Sequence, residues 1–174
     1  MLDTITLGGG CFWCLEAVFQ QVRGIQKVSS GYMGGHTLSP TYQQICQGDT
    51  GHAEVVQLQF DSAEVSLVEI LDVFFAIHDP TTLNRQGHDV GTQYRSAIFA
   101  SHTTQLEAVK SKLLELQREF VNPIVTELLL ASTFWPAEME HHNYYNNYPL
   151  QPYCRAVVAP KLQKLMTHFP NMTK

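Results

Sequence analysis

Three consecutive glycines, Gly8-Gly9-Gly10, separate a short strand-like run from a run of helical character, and Cys11 follows them directly. No other block constrains the fold so tightly. Thr4 to Leu7 has room only for a strand. The glycines admit a tight turn and a close approach of other groups to the backbone. Cys11-Phe-Trp-Cys-Leu-Glu-Ala-Val-Phe19 then reads as a helix. A thiol placed at a helix start meets exposed N–H groups and the positive end of the helix dipole, which favour a negative charge. The thiolate is the nucleophile, and a free cysteine with a pKa of about 8.5 holds only a few per cent of it near neutral pH. A lone cysteine in such a turn would be a buried packing residue. The glycines, the aromatic pair and Cys14 together favour a reactive one.

Downstream, strands and helices alternate. Ile25 to Met33 reads as a strand ended by Gly34-Gly35, and Val55 to Phe60 alternates with Val56, Leu58 and Phe60 on one face. Ser66-Leu-Val-Glu69 fits a capping box opening a helix whose stripe is Leu67, Ile70, Leu71 and Phe74. Tyr94 to Ala100 is expected to be a strand, and Leu106 to Phe120 an amphipathic helix stopped at Asn122-Pro123. A strand at Ile124 to Ala131, an aromatic segment at Phe134 to Tyr148, a Pro149–Pro152 turn and a helix near Ala159 to Phe169 complete the chain. The polar stretch from His78 to Gln93 is long for a loop inside a compact domain, and loops of that length are usually functional. Residues 1–174 are read as one catalytic domain of α+β class, a ferredoxin-like two-layer sandwich of helices against a mixed sheet.

Composition excludes several classes. A net charge of −5 with no basic cluster argues against a nucleic-acid partner. No stretch approaches the length of a membrane span, and the first residues lack the pattern of a signal peptide. The expectation is a cytoplasmic protein, in which four cysteines (Cys11, Cys14, Cys46 and Cys154) point to redox or catalytic use rather than structural disulfides.

Cys11-Phe-Trp-Cys14 has the spacing of half a zinc site, but there is no second C-x-x-C, and the adjacent His141 and His142 point in different directions on a helix. No metal is expected. A dithiol with a depressed first pKa is the stronger reading. Phe12 and Trp13 beside the nucleophile are candidates for an apolar pocket that receives a small group such as a methyl. Glu54, if buried beside Cys11, would have its pKa raised and become a proton donor near neutral pH. Tyr42 and Tyr94 offer hydroxyl donors, and Cys46 reads as a buried packing residue. A thioredoxin- or glutaredoxin-like disulfide oxidoreductase, with Pro123 ahead of a strand, is the competing reading. A metal-binding or scaffolding module is a third.

Gly10-Cys-Phe-Trp13, Gly31-Tyr-Met-Gly-Gly35, Pro40-Thr-Tyr42, Gly48-Asp-Thr-Gly-His-Ala-Glu54, His78-Asp-Pro-Thr81 and Asp89-Val-Gly-Thr-Gln-Tyr-Arg-Ser96 occur in that order. Together they closely resemble the A class of peptide methionine sulfoxide reductases, which act on the S epimer, and the resemblance covers nearly the whole chain. It implies Cys11 as nucleophile, Glu54 as proton donor, Tyr42 and Tyr94 as ligands of the sulfoxide oxygen, and Phe12 and Trp13 as the methyl wall. Asp89 would support the site through hydrogen bonds. Cys11 would become a sulfenic acid, a second thiol would condense with it, and thioredoxin would reduce the disulfide, with no bound cofactor. Oxidised proteins and free methionine sulfoxide are the implied substrates, and a monomer is expected. Two positions depart from the family pattern: Cys14 stands where glycine is usual, and His142 where glutamine follows the histidine matched by His141. Cys14 and Cys154 therefore both remain candidates for the resolving thiol.

Overall fold

The alternation of Val56, Leu58 and Phe60 becomes the inner face of a central strand. The computed structural model describes residues 1–174, with β1 (Leu2–Gly8), α1 (Phe12–Phe19), β2 (Ile25–Met33), α2 (Tyr42–Gln47), β3 (Ala53–Asp61), α3 (Leu67–Ile77), β4 (Arg85–Gln86) and β5 (Asp89–Val90). There follow β6 (Ala97–Ala100), α4 (Thr103–Leu116), β7 (Glu127–Leu130), β8 (Trp135–Pro136), α5 (Tyr144–Asn147) and α6 (Ala159–His168). Six strands form one sheet in the order β7-β6-β1-β3-β2-β8. The β6–β7 pair is parallel and the others are antiparallel. α4 joins that parallel pair, since parallel neighbours cannot be linked by a tight turn. The result is the expected α+β arrangement of helices against a mixed sheet. No helix is long and apolar enough to cross a membrane.

Side chains alternate across a strand. Val56, Leu58 and Phe60 therefore share the main core with Ile5 and Leu7 of β1, Phe12, Leu15 and Phe19 of α1, and Ile70, Leu71 and Phe74 of α3. Val55 and Ala53 point the other way, into a smaller cluster with Met33, Ala97 and Phe99. Glu54 is in phase with Val56, so the pleat that builds the core also puts a carboxylate on its helix-covered face.

The antiparallel pairings decide where the loops meet. β1 runs against both β3 and β6, so Leu7 faces Val56 and Gly8 faces Ala97. β2 runs against β3, which sets Tyr32 opposite Glu54. The end of β1, the end of β2, the start of β3 and the approach to β6 thus share one end of the sheet. The Gly10 N–H donates to the Tyr94 carbonyl there, at 3.1 Å. Gly10 has φ +84°, a conformation that a side chain strains. A Cβ on Gly9 would sit 3.0 Å from the His78 ring. That ring is a buried prop whose nitrogens bond the Phe74 carbonyl and the Ser96 hydroxyl. Burial lowers its pKa to about 4.

Some boundaries differ from expectation, among them that of α4, which runs Thr103–Leu116 rather than Leu106 to Phe120. Tyr94 to Ala100 is a 3₁₀ turn at Thr92–Tyr94 followed by β6, because the Gly91 corner is needed to bring Tyr94 under the glycine turn. The strand expected at Ile124 to Ala131 is only Glu127–Leu130, the length over which β6 offers a partner. The stretch from 78 to 93 holds the small β4–β5 ribbon. At the C-terminus, Cys154–Val158 forms a π-helical turn continuous with α6, and Cys154 is packed in the main core.

Candidate active site

Cys11 is the N-cap residue of α1, in extended conformation (φ −66°, ψ 131°), and is 8% exposed. The next backbone N–H, that of Phe12, donates to Glu54 Oε1 at 3.2 Å. Glu54 is 1% exposed, and its other oxygen, Oε2, has no hydrogen-bond partner. Burial pushes the Glu54 pKa up to about 8, against the opposing pull of the Phe12 N–H, and the charge of Asp89 raises it further. The carboxyl is therefore protonated at neutral pH, as burial beside Cys11 requires.

Cys11 itself departs from the sequence reading. Its pKa lies well above the ordinary thiol value, chiefly through burial, to which Glu54 and Cys14 add once they are ionised, while the Trp13 N–H lowers it too little to compensate. A helix N-terminus alone would depress it. Here the first free N–H of α1 is spent on Glu54, and the thiol is buried beside a carboxyl group. The resting pair is a neutral thiol facing a neutral acid.

Tyr42 and Tyr94 come from opposite flanks, one at the first turn of α2 and the other before β6. Both phenols are held protonated chiefly by burial, to which Glu54 adds once it is ionised. Asp89, on β5, accepts a 2.6 Å hydrogen bond from the Tyr153 hydroxyl, and that hydroxyl lies 4.0 Å from Cys14 Sγ. The sequence reading missed Tyr153; its place directly before Cys154 was the available signal.

Phe12 and Trp13 separate in role. Phe12 is fully buried and packs on Tyr32, Tyr42 and His141, forming a floor rather than an exposed wall. Trp13 lines a cavity of about 380 Å³ with Tyr42, His141, Tyr144 and Tyr148. Its indole stacks on the Tyr144 ring at 3.7 Å with the planes 5° apart. The buried Glu16 of α1 holds that segment by accepting the Tyr144 N–H at 3.3 Å. Glu138 accepts from the Tyr32 hydroxyl at 3.1 Å and the Tyr42 N–H at 2.9 Å, tying α2 to the C-terminal segment. Tyr144 and Glu138 were also missed, because single aromatic and acidic residues carry no spacing signal. A second cleft, of about 810 Å³, opens on Cys11 beside His88, Asp89, Tyr153 and Lys161.

Cys14 and Cys154 are both fully buried, and all four cysteines are free thiols. Burial raises the Cys14 pKa, with Lys161 and the Tyr153 hydroxyl opposing and Cys154 among the groups that raise it. The sequence reading of Cys46 as a buried packing residue is overturned: it is exposed. α2 has only six residues and buries Ile45, which leaves the next position facing outward beside the Tyr42 hydroxyl.

A buried thiol at a helix start, an acid carboxyl on the first free N–H and a second thiol three residues on define a cysteine-based redox site. The family model described as peptide methionine sulfoxide reductase matches residues 3–173. A peptide methionine sulfoxide reductase MsrA of Acinetobacter baumannii is 56% identical over 167 residues, spanning 96% of this chain and 95% of that one. Among solved structures, Mxr1 of Saccharomyces cerevisiae in its reduced form superposes with a TM-score of 0.84 at 37% identity, over 88% of this chain and 89% of that one. Mxr1 in complex with Trx2 gives 0.60 at 27% identity, over 82% and 84%. The chain belongs to the peptide methionine sulfoxide reductase family, and the thioredoxin-like alternative is set aside.

Proposed function

We propose that this chain reduces methionine S-sulfoxide, free or within proteins, to methionine, with Cys11 as nucleophile and Glu54 as the acid. The observation that carries the reading is Glu54 Oε2. A buried, protonated carboxyl oxygen with no partner costs free energy unless a ligand accepts its hydrogen bond. A sulfoxide oxygen is such an acceptor, and the adjacent sulfur, which carries the positive end of the S–O dipole, then faces Cys11. That dipole favours the thiolate that the empty site disfavours, so the nucleophile forms only when substrate is seated. Tyr42 and Tyr94 donate to the same oxygen, Trp13 receives the methyl group above the Phe12 floor, and Asp89 is held by Tyr153.

Cys11–SH and the sulfoxide yield Cys11–SOH and the thioether, the oxygen passing from methionine sulfur to cysteine sulfur. Cys14–SH then condenses with the sulfenic acid to give a disulfide and one water, and an external dithiol restores both thiols. Cys14 is favoured over Cys154 because it lies one turn along the same helix start, whereas Cys154 sits in the packed π-helical turn. A thioredoxin-type protein is the proposed reductant, on the strength of the related Mxr1 captured with Trx2. No bound cofactor is required, the chain is proposed to act as a single-domain monomer in the cytoplasm, and the cellular role is repair of oxidised protein.

Turnover of separated S and R epimers with a dithiol tests the activity: the S epimer should be consumed and the R epimer left. Equal use of both would overturn the reading. For the thiols, Cys14→Ser should release one equivalent of methionine and stall, while Cys154→Ser should cycle almost normally. A disulfide between residues 11 and 154 after one turnover, with none between 11 and 14, would reverse that choice.

A further inference from the structure

His141 is 5% exposed, and its two ring nitrogens have different surroundings. Nδ1 accepts the indole N–H of Trp13 at 3.3 Å. Nε2 is buried and has no hydrogen-bond partner, with Glu140 Oε1 3.9 Å away. An indole nitrogen can only donate, so Nδ1 must carry the lone pair. In a neutral ring the proton is then on Nε2, which makes that atom a buried donor in need of an acceptor. Burial holds the His141 pKa below its ordinary value, Glu138 and Glu140 pull it up, and His142 pushes it down, so the neutral ring is the relevant form.

The charged neighbours differ in what they have left to offer. Both oxygens of Glu138 are already engaged, by the Tyr32 hydroxyl and the Tyr42 N–H. The His142 Nε2 bonds the Ala137 carbonyl at 2.8 Å. Glu140 is 78% exposed with its Oε1 3.9 Å from the His141 Nε2, so its side chain is free to close the remaining ångström. Glu138, Glu140 and His141 offer atoms within 4.8 Å of one another, the geometry of a cation site. The Trp13 bond argues for a proton there instead, because it commits the Nε2 lone pair to N–H.

We propose that Glu140 is a positioning residue: its carboxylate accepts the Nε2–H of His141 and locks the ring in the tautomer that receives the Trp13 indole N–H. The inference rests on Trp13 being the methyl wall. The indole is then fixed at three places: on its face by Tyr144, at its edge by His141, and through His141 by an exposed carboxylate 127 positions along the chain from it. The His141 ring in turn packs on Tyr42 at 4.3 Å and Phe12 at 5.5 Å, so the same ring spaces the methyl wall from the oxygen-binding side.

The test compares Glu140→Ala with Glu140→Gln, whose amide oxygen still accepts the Nε2–H. Nitrogen NMR of the His141 ring should report the Nε2–H tautomer in the wild type and in Glu140→Gln, and a mixture in Glu140→Ala. Hydrogen exchange of the Trp13 indole should quicken about three- to tenfold in Glu140→Ala alone. Selectivity for a methyl over an ethyl sulfoxide should fall by a similar factor through KM, with single-turnover kcat little changed, and Glu140→Gln should restore it. An unchanged tautomer and unchanged indole exchange in Glu140→Ala would overturn the proposal whatever the activity. If instead Trp13→Ala leaves methyl over ethyl selectivity intact, the methyl-wall reading fails, and the tautomer result still judges the Glu140–His141 link by itself.

Discussion

Glu54 and Glu138 reach toward the same end of the sheet and end in opposite states. Glu54, on the buried floor, receives one backbone N–H on one oxygen and nothing on the other, and its pKa rises to about 8. Glu138, on the C-terminal rim, is also pushed up by burial, but the Tyr42 N–H, its own backbone and the Tyr32 hydroxyl outweigh that push and leave it below the ordinary carboxylate value. The deeper burial of Glu54 and the larger number of donors on Glu138 keep one carboxyl protonated near neutral pH and the other anionic. The same Glu54 takes up the first N–H of α1, so Cys11 gains little from its helix start and its pKa stays raised.

Substitutions in and around the two carboxyls should separate their roles. Cys11→Ser should abolish sulfoxide reduction, a loss of at least about 10³-fold, because a hydroxyl is a far poorer nucleophile than a thiolate. Residual turnover above background, measured with dithiol in excess, would move the nucleophile elsewhere. Glu54→Gln should slow methionine release by about 10²–10⁴-fold under single-turnover conditions. In the wild type that rate should fall as pH rises through about 8, where Glu54 gives up its proton. The decline should vanish in the variant.

Stability supplies the next contrast. From pH 4.5 to about 8 the folded Glu54 keeps a proton that the unfolded chain has released, so stability falls as pH rises across that window. Urea denaturation should therefore show a shallower decline from pH 5 to pH 8 in Glu54→Gln than in the wild type. Glu138 has the opposite sign: its lowered pKa contributes stability above the ordinary carboxylate range that is lost in acid. Glu138→Gln should cost about 1–3 kcal/mol at pH 7 and lower activity only several-fold, since it loosens a clamp and removes no reacting group. A loss as large as that of Glu54→Gln would mean that the two carboxyls are not distinct in role. Trp13→Ala should have the smallest effect of the set, about fourfold from the buried methyl alone, at roughly 0.8 kcal/mol. Discrimination between methyl and ethyl sulfoxides reads it.

Much of this was legible before the structure. The β3 alternation named the core face, and the capping box at Ser66-Leu-Val-Glu69 marked the start of α3 where it occurs, whereas the burial of Glu54 was legible only as a condition. Local chemistry is short-ranged, so periods, caps and glycine turns read correctly along the chain. The Cys11 pKa did not, because a helix start predicts its own field and not the distant carboxyl that occupies its first N–H. Cys46 failed for a related reason: whether position 46 is inside depends on what covers a six-residue helix, and nothing in α2 says so.

The strand–glycine–cysteine–helix unit, the alternation of strands and helices, and the thiol, carboxyl and phenol side chains were readable from sequence, since each is written within about ten residues of chain. Tertiary structure alone decided the partners. Tyr153 met Asp89 across 64 positions, Trp13 met His141 across 128, and Glu138 met Tyr32 across 106. Those contacts set which carboxyl stays protonated and which nitrogen of His141 holds its proton. Desolvation and hydrogen-bond count belong to the packed neighbourhood, and antiparallel register brings that neighbourhood together from four separate stretches of chain.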